Sequence, residues 1–323
     1  MGLKVAVQMD PIEHINIAGD STFALMLEGQ RRGHSHFVYE PQDMALRTSA
    51  DGQVRVFATG RCVLVRDVEG DHFTAKAPET HDLSDFDVVL MRQDPPFDMA
   101  YITATHLLEH LPDSTLVVND PVAVRNAPEK LLVLEFAEFT PPTLITRNRA
   151  VIEAFRRDHG DIILKPLYGH GGAGVFRLTA NDANFSALYE LFAENFREPF
   201  IVQQYLPQVA SEGDKRIVLV DGELAGVLNR RPQAGEVRSN MVAGGQAELA
   251  EPSAADLAIV EAVGPRLKEL GLLFAGLDVI GGKLTEINVT SPTGLRAILR
   301  LGGPDIPALI WDAIERKLTE RRG

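Results

Sequence analysis

The sequence predicts an α/β protein in which an open, mostly parallel sheet comes first and a second part, rich in strand pairs, follows. Three observations support this fold class. A chain of 323 residues is too long for one ordinary core and indicates two or three domains. Strand-like segments alternate with helices in the first third, which is typical of a parallel sheet. From about Pro128 onwards, helices alternate instead with hairpin-like strand pairs.

The first part is expected to form an N-terminal α/β domain, residues 1–123. A buried strand at residues 4–9 leads to a helix at 22–32, which Asp20 and Ser21 are suited to cap. Further elements are expected as strands at 36–40, 54–57, 88–91 and 116–118 and a helix at 99–110. Ligands bind open parallel sheets beyond the carboxyl ends of the strands. We therefore expect the polar segments that follow the first strand and the 88–91 strand to face a ligand.

The second part, residues 124–323, is expected to begin with helices at 129–136 and 150–159. Its strands are expected at 161–166, 175–178, 200–204, 215–220, 224–228, 272–280 and 283–288. The turn Asp221-Gly222 joins two of these strands into a hairpin, and a helix is expected to close the chain.

Charge and cysteine content exclude several function classes. The formal net charge of −13 argues against nucleic acid or an anionic membrane as the main partner, since both favour a basic protein surface. No apolar run approaches the roughly 20 residues that a membrane helix needs, and the first residues lack the layout of a signal peptide. Cys62 is the only cysteine, so no intrachain disulfide is expected. These observations predict a cytoplasmic protein.

A glycine-rich loop at residues 168–174 predicts contact with phosphate groups through Gly169, Gly171, Gly172 and Gly174. Dinucleotide-binding loops of similar spacing need a helix after the loop, whereas a strand-like alternation follows here. A glycine loop between two strands resembles the flap that protein kinases fold over ATP phosphates. Lys165 just upstream and Lys130 would supply positive charge, and a plain glycine-rich hairpin is the structural alternative.

Asp278, Glu286 and Asn288 predict a metal site. The last two project to the same face of one strand, and a hairpin through Gly281-Gly282 brings Asp278 beside them. Carboxylate and amide oxygens suit Mg²⁺, with Mn²⁺ as an alternative ion, rather than zinc. A solvated strand face is the structural alternative, but three oxygen ligands within one otherwise apolar hairpin would be costly without a cation.

Five arginines, four of them in the second part of the chain, predict an anion-binding surface. Four of them lie in sequence between the glycine loop and the carboxylates, and a fifth ends a strand of the first part; they are Arg216, Arg230, Arg231, Arg238 and Arg92. Arginine stays charged and binds carboxylate or phosphate through two parallel hydrogen bonds. A surface salt bridge, which contributes little, is the alternative for any single arginine and is the role we expect for Arg231.

Several motifs in combination resemble those of the bacterial glutathione synthetase family. They are MDP at residues 9–11, MRQDPPFD at 91–98, ILKPL at 163–167, GDKR at 213–216, RRPQ at 230–233 and LTEINVTSPTG at 284–294. The similarity runs from the first strand to the last helix. It implies a two-lobed α+β ATP-grasp domain at 124–323, with a lid-bearing central lobe at about 124–205 and a metal-binding lobe at about 206–323.

The resemblance also implies roles for individual residues. ATP would be bound by Lys130, Lys165, the loop glycines, Asp214 and an adenine hinge made of Gln203, Gln204, Tyr205 and Leu206. Substrate and transition state would be bound by Arg92, Ser291, Thr293 and the catalytic Arg216, Arg230 and Arg238, and Mg²⁺ by Asp278, Glu286 and Asn288. The loop opens with Tyr168 where many members have Asp, and the turn at 291–294 lacks a cysteine. Neither departure removes a metal or phosphate contact.

The implied activity is the ATP-dependent ligation of γ-glutamylcysteine and glycine through an acyl phosphate, in a protein that is often a homotetramer. No nucleophile of the enzyme is needed, since positioning and charge stabilisation suffice. Two alternatives stay open. One is an ATP-grasp ligase of other specificity, such as a D-alanine ligase or a glutamate-adding enzyme, and the other is a non-catalytic nucleotide-binding protein.

Overall fold

A computed structural model describes residues 2–50, 52–233 and 246–322. Its strands in chain order are β1 (Lys4–Gln8), β2 (Ser35–Tyr39), β3 (Met44–Thr48), β4 (Val54–Val65), β5 (Phe73–Ala75), β6 (Glu79–Asp82), β7 (Val88–Met91), β8 (Leu116–Val118), β9 (Thr143–Thr146), β10 (Ile162–Pro166), β11 (Phe176–Leu178), β12 (Phe200–Gln204), β13 (Asp214–Val220), β14 (Glu223–Arg231), β15 (Gln246–Leu249), β16 (Phe274–Ile280) and β17 (Lys283–Asn288). Its α-helices are α1 (Ser21–Arg31), α2 (Met99–Leu108), α3 (Pro121–Asn126), α4 (Glu129–Leu132), α5 (Arg149–His159), α6 (Phe185–Asn195), α7 (Gln208–Glu212), α8 (Ala254–Glu269), α9 (Leu295–Arg300) and α10 (Ile306–Arg322).

The first sheet has the strand order β3-β4-β2-β1-β7-β8, with β5 and β6 also paired to β4. Strands β2, β1, β7 and β8 are parallel, as the alternation of strands and helices predicted. Strand β4 is antiparallel to β2 and is longer than predicted, because the backbone of Gly60 packs against β2. A Cβ at Gly60 would collide with the carbonyl oxygen of Val38, so this glycine permits close packing rather than marking a turn.

The second sheet is antiparallel, with the order β11-β10-β12-β9. Its core lies against α5 and α6 and contains Ile152, Leu164, Phe192 and Phe200, which are at most 1% exposed. These side chains form a hydrophobic cluster of their own, separate from the two other clusters of the described residues. We call this unit, residues 143–204, the central lobe.

The third sheet is antiparallel, with the order β15-β14-β13-β16-β17, and it shares a core with the first sheet. One cluster contains Val5 of β1, Val218 of β13 and Trp311 of α10. Trp311 is fully buried between α1 and α10, and its indole N–H donates to the carbonyl oxygen of Leu25 at 2.8 Å. The first and third sheets therefore form one packed body, which we call the joined unit.

A buried amide connects the two sheets of the joined unit. The side-chain nitrogen of Asn119, just after β8, donates to the carbonyl oxygens of Phe274 and Val289 at 2.7 and 2.8 Å. Its side-chain oxygen accepts from the backbone N–H of Phe274 at 2.8 Å. This contact aligns the carboxyl edge of the first sheet with β16 and β17. Among the helices of the described residues, none combines the length and apolarity needed to cross a membrane.

Candidate active site

Two cavities meet between the central lobe and the third sheet. The lysine cavity, of about 930 Å³, contains Lys130 and Lys165. The arginine cavity, of about 1100 Å³, contains Arg216 and Asn288. Both cavities are lined by Arg230, Asp278, Glu286 and the segment 169–172, so these residues form the boundary between them.

The lysine cavity gathers nearly all residues that were predicted to bind a nucleotide. They are Lys130, Lys165, Gly169, Gly171, Gly172, Gln203, Gln204, Tyr205, Leu206 and Asp214. Gly174 follows in the same loop but does not line the cavity. Residues 203–206 run from the end of β12 towards α7 and form one wall, with the ring of Tyr205 beneath the Arg177 guanidinium at 4.0 Å.

The two lysines lie beside Glu286. Lys165 Nζ is 2.9 Å from Glu286 Oε1, and Lys130 Nζ is 3.9 Å from the same oxygen. Lys130 also donates to the backbone carbonyl of Gly169, which fixes the glycine loop against α4. Burial alone would raise the pKa of Glu286, but the charges of the two lysines outweigh it and lower the pKa below its ordinary value. This arrangement concentrates positive charge under the glycine loop.

The glycine loop joins the antiparallel strands β10 and β11, so a strand lies on both sides of it as predicted. Gly171, Gly172 and Gly174 have φ values of 60, 75 and 71°, which residues with a side chain rarely adopt. A Cβ at Gly174 would also lie 2.9 Å from Pro166 Cγ. The loop conformation therefore depends on its glycines, and it leaves backbone groups facing the lysine cavity.

Asp278 and Glu286 are direct cross-strand neighbours on β16 and β17. Asp278 is held by Arg216 Nε at 2.6 Å and by Arg230 Nη2 at 3.0 Å, and Arg230 also binds Asp214 at 2.7 Å. Burial would raise the pKa of Asp278, but the two arginines reverse this effect and lower the pKa to about 2. Asp278 is therefore charged at neutral pH.

The donor set fits a hard divalent cation. Asp278, Glu286 and Asn288 line the arginine cavity together and offer carboxylate and amide oxygens. In the described part of the chain no group of three or more His, Cys, Asp or Glu converges, so zinc-type clusters are absent there. A set of two carboxylates and one amide suits a cation that keeps some positions for other oxygen ligands, such as phosphates.

The predicted substrate residues occupy different positions. Ser291 and Thr293 line the arginine cavity, and the Thr293 carbonyl accepts from Arg216 at 3.4 Å. Arg92 is only 4% exposed; its guanidinium donates to Thr22 Oγ1 and to the carbonyl oxygen of Pro292, both at 3.1 Å. Arg92 thus holds the 291–294 turn against the first sheet and does not line the described cavities.

Two further predictions concern arginines. Arg231 forms an exposed ion pair with Glu248 at 2.8 Å, as expected for a surface salt bridge. Arg238 lies outside the described residues.

Asp94 also lines the arginine cavity and lies in the polar segment after β7 that was expected to face a ligand, whereas Glu129, a further lining residue, was not singled out from the sequence. Glu129 is the first residue of α4, where a glutamate is common because of the helix dipole, so its type and position point to no ligand. Tyr168, the departure noted in the glycine loop, stacks on Phe97 with ring centroids 5.9 Å apart. That contact connects the glycine loop to the segment that follows β7. It could not be inferred from the sequence around Phe97 or from the sequence around Tyr168.

Family comparisons match almost the whole chain. Residues 3–125 match the N-terminal domain of prokaryotic glutathione synthetase, and residues 129–303 match the ATP-grasp domain of the same enzyme. The chain belongs to the prokaryotic glutathione synthetase family. Two relatives named glutathione synthetase illustrate this: that of Rhodopseudomonas palustris is 58% identical over 317 residues, and that of Vibrio vulnificus strain YJ016 is 47% identical over 321. Each alignment covers 98% of this chain and 99% of the relative.

Solved structures show the same fold at low identity. The ATP-grasp ligase PsnB, complexed with a phosphomimetic variant of its minimal precursor, Mg and ADP, has a TM-score of 0.66 at 19% identity, with 98% of each chain covered. The D-cycloserine synthetase DcsG has a TM-score of 0.68 at 17% identity, with 98% of this chain and 99% of the other covered. These structures confirm the fold class, and the family models and relatives confirm the family. As a member of this family, the protein is an ATP-dependent ATP-grasp ligase that acts on small molecules and depends on a divalent metal.

Proposed function

We propose that this ligase joins γ-glutamylcysteine to glycine and converts ATP to ADP and phosphate through an acyl phosphate. One observation carries the proposal: a lysine- and glycine-lined cavity and an arginine-lined cavity meet at Asp278 and Glu286. Phosphoryl transfer from a nucleotide to a carboxylate needs such a junction, because both reactants must approach one point from opposite sides. The family and its relatives named glutathione synthetase support the same substrates.

On the nucleotide side, Lys130 and Lys165 would bind phosphate oxygens while the glycine loop covers them. Residues 203–206 would hold the adenine, and Asp214 would keep Arg230 in place at the boundary. Asp278, Glu286 and Asn288 would hold Mg²⁺, or Mn²⁺, which when bound neutralises phosphate charge and orients the transferred group. The lysine and arginine partners keep these carboxylates charged, and a bound cation would share their oxygens with those partners.

On the substrate side, Arg216 and Arg230 would bind carboxylate and phosphoryl oxygens through paired hydrogen bonds. Ser291 and Thr293 would complete the wall, while Arg92 would act through the turn that it holds rather than by touching substrate. Arg238 is proposed to join the other catalytic arginines on the strength of the family resemblance alone.

The reaction follows in two steps. An oxygen of the peptide carboxylate attacks the γ-phosphorus of ATP, and ADP leaves. Glycine first loses one proton from its ammonium group, its free amine attacks the acyl carbon, the bond from that carbon to the phosphate oxygen breaks, and phosphate leaves while the second amine proton is released. The chain's residues position the reactants and stabilise developing negative charge. Closure of the glycine loop would keep water away from the acyl phosphate.

Phosphate release is the measurement that tests this proposal. ATP and Mg²⁺ would be supplied with γ-glutamylcysteine, glycine, both or neither, and sustained release should require both. Lys165→Ala should lower kcat/KM for ATP by about a hundredfold, since it removes one charge-assisted phosphate contact. Lys76→Ala, an exposed lysine outside both cavities, is the matched control. Release supported by D-alanine instead would indicate another specificity, and no release would indicate a non-catalytic nucleotide-binding protein.

We further propose a cytoplasmic homotetramer with an N-terminal domain at residues 1–123 and an ATP-grasp domain at 124–323. Family resemblance supports the assembly, and the separate cluster of the central lobe is consistent with a lid-bearing lobe inside the second domain. Sedimentation velocity at several protein concentrations would measure the assembly, and a monomer throughout would contradict it.

A further inference from the structure

Glu129 is a carboxylate of the arginine cavity that has no role in the reaction described so far. It precedes Lys130 in the chain, yet the two side chains reach different places. Lys130 lines the lysine cavity, whereas Glu129 lines the arginine cavity. Both also line a side pocket of about 290 Å³ under the glycine loop. Glu129 therefore lies next to the phosphate-binding region but faces the substrate side.

Glu129 is held by a hydroxyl and feels the charges of Lys130 and Arg216, but it forms no direct ion pair with a described residue. Thr290 Oγ1 donates to Glu129 Oε1 at 2.7 Å and anchors one oxygen. Asp278 and Glu286 are both ion-paired, but within the described ranges no Lys, Arg or His forms an ion pair with Glu129. Burial raises the pKa of Glu129, and the nearby charges of Lys130 and Arg216 only partly oppose this rise. A partly buried carboxylate without a direct ion pair is stabilised when a ligand supplies the cation.

The proposed reaction brings such a cation to the same place. The acceptor amino acid arrives as an ammonium ion and must lie beside the acyl carbon, at the boundary of the two cavities formed by Arg230, Asp278 and Glu286. The peptide substrate carries its own ammonium at the far end from the reacting carboxylate. Asp94, which is exposed at the edge of the first sheet, lies in the same cavity on the side of the N-terminal domain. Glu129 is instead on α4, whose next residue reaches the boundary.

We propose that Glu129 binds the ammonium group of the acceptor amino acid and that Thr290 orients it for this purpose. This inference rests on the proposed function, since it assigns a subsite within that reaction. The chemical class of the ligand is a small amino acid with a free α-ammonium group. Recognition combines the charge of Glu129 with the carboxylate-binding arginines of the same cavity.

Steady-state kinetics of Glu129→Gln test the proposal, because glutamine keeps the shape and the acceptor for Thr290 but removes the charge. The KM for glycine should rise by about tenfold to a hundredfold, the usual effect of losing a charged hydrogen bond. The KM values for ATP and γ-glutamylcysteine should stay within about twofold, as expected for uninvolved contacts. Glu135→Gln is the matched control, since Glu135 is exposed and pairs with Arg266.

Hydroxylamine provides a second readout, because it is an uncharged nucleophile at neutral pH. It attacks the acyl carbon, forms the hydroxamate and releases phosphate without needing an ammonium site. Glu129→Gln should therefore form hydroxamate from ATP and γ-glutamylcysteine at the wild-type rate while product formation with glycine is weakened. A wild-type enzyme that forms no hydroxamate and no peptide product would refute the proposed function rather than this subsite.

Three outcomes would overturn the subsite. They are an unchanged KM for glycine, a rise in the KM for γ-glutamylcysteine instead, and equal losses with glycine and hydroxylamine. If Glu129→Gln does not fold, Thr290→Val serves in its place, because it removes the anchoring hydroxyl and leaves the carboxylate. It should raise the KM for glycine severalfold and leave hydroxamate formation intact, and a normal KM for glycine in that variant would likewise contradict the proposal.

Discussion

At the scale of single residues, the site is built from charges that neutralise one another before any ligand arrives. Asp278 lies between Arg216 and Arg230, and Glu286 lies beside Lys165 and Lys130. Each buried charge offsets the desolvation cost of its partner. The same carboxylates are the proposed metal ligands, so removing one affects both stability and metal use.

Asp278→Asn should therefore raise the Mg²⁺ concentration needed for half-maximal activity. It should also lower the free energy of unfolding by about 3–5 kcal/mol, because the buried Arg216 loses its carboxylate partner and Arg230 keeps only Asp214. Urea unfolding and a magnesium titration of activity measure the two effects. Asp158→Asn, which changes an exposed aspartate of α5, is the control. Full activity at wild-type Mg²⁺ levels would argue against Asp278 as a ligand.

His36 predicts a pH dependence of stability. It is 2% exposed, and neither ring nitrogen has a hydrogen-bond partner among the residues that the structure describes. Burial, with a smaller contribution from His34, lowers the pKa of His36 from 6.5 to about 4. Between pH 6.5 and about 4, His36 is therefore protonated in the unfolded chain but not in the folded chain. The contribution of His36 to the free energy of unfolding is fully present above its unfolded-state pKa. The free energy of unfolding should fall by on the order of 3 kcal/mol as the pH drops to the folded-state pKa.

Urea unfolding between pH 7 and 4 measures this effect. In His36→Leu the loss of unfolding free energy between pH 7 and 4 should be smaller than in the wild type. His110→Gln, at an exposed position, should leave that loss unchanged. His34, whose pKa burial also lowers, contributes in the same direction and accounts for part of the remaining slope. Equal slopes of the unfolding free energy against pH in His36→Leu and the wild type would exclude His36 as a source of the pH dependence.

At the scale of elements, the glycine loop combines two separate constraints. Gly171 has a positive φ, but a Cβ added there would meet no atom within 4 Å, whereas Gly174 has a positive φ and also packs against Pro166. The two positions therefore allow the backbone requirement to be distinguished from the packing requirement.

Gly174→Ala should raise the KM for ATP more than Gly171→Ala does. Both variants bear the cost of a left-handed backbone, about 1–2 kcal/mol, but only Gly174→Ala adds a Cβ 2.9 Å from Pro166 Cγ. Steady-state kinetics at saturating γ-glutamylcysteine and glycine compare the pair. Equal KM values would indicate that the loop relaxes away from Pro166 at no cost.

Much of the site could be predicted from the sequence because its parts are local. Lys165 and the glycine loop lie within ten residues, and Asp278, Glu286 and Asn288 lie in one hairpin. The contacts between parts could not be predicted, since Lys165 and Glu286 are 121 positions apart. Arg92 illustrates the difference. Its place at a strand end suggested a ligand, but packing 200 positions away, at Pro292, occupies its guanidinium.

Long-range packing also explains why helix α8 and the second half of strand β4 were not predicted from the sequence. Helix α8 contains Gly264 and Pro265, which disfavour helix in isolation, and the sequence predicted no helix there. Gly264 packs directly on Gly222, where a Cβ would collide with the carbonyl oxygen, so tertiary contact determines its residue type. The strand predicted at 54–57 ended before Gly60, whereas β4 continues through Gly60 to Val65, where close packing on β2 requires the glycine.

At the scale of the whole molecule, the chain consists of a joined unit and a central lobe with its own core. The lobe carries Lys165 and the glycine loop, while the joined unit carries the carboxylates and arginines. Opening between these bodies would separate the two halves of the site without disturbing either core.

Phe192→Ala should destabilise the central lobe alone. The ring is 1% exposed, and its removal should cost about 3–5 kcal/mol. Hydrogen exchange followed by mass spectrometry should show lost protection in residues 143–204 and unchanged protection in the joined unit. Leu191→Ala, at the neighbouring position that is 50% exposed, is the control. Protection lost throughout the chain would show that the lobe does not open by itself.

The buried indole between α1 and α10 has a practical consequence. Trp311 is the only tryptophan of the chain, and it lies in the core of the joined unit. Its fluorescence will therefore report the loss of that core without any label and will not respond directly to unfolding confined to the central lobe. An emission melt compared with circular dichroism, which follows helices of both bodies, should distinguish lobe opening from global unfolding in the native protein.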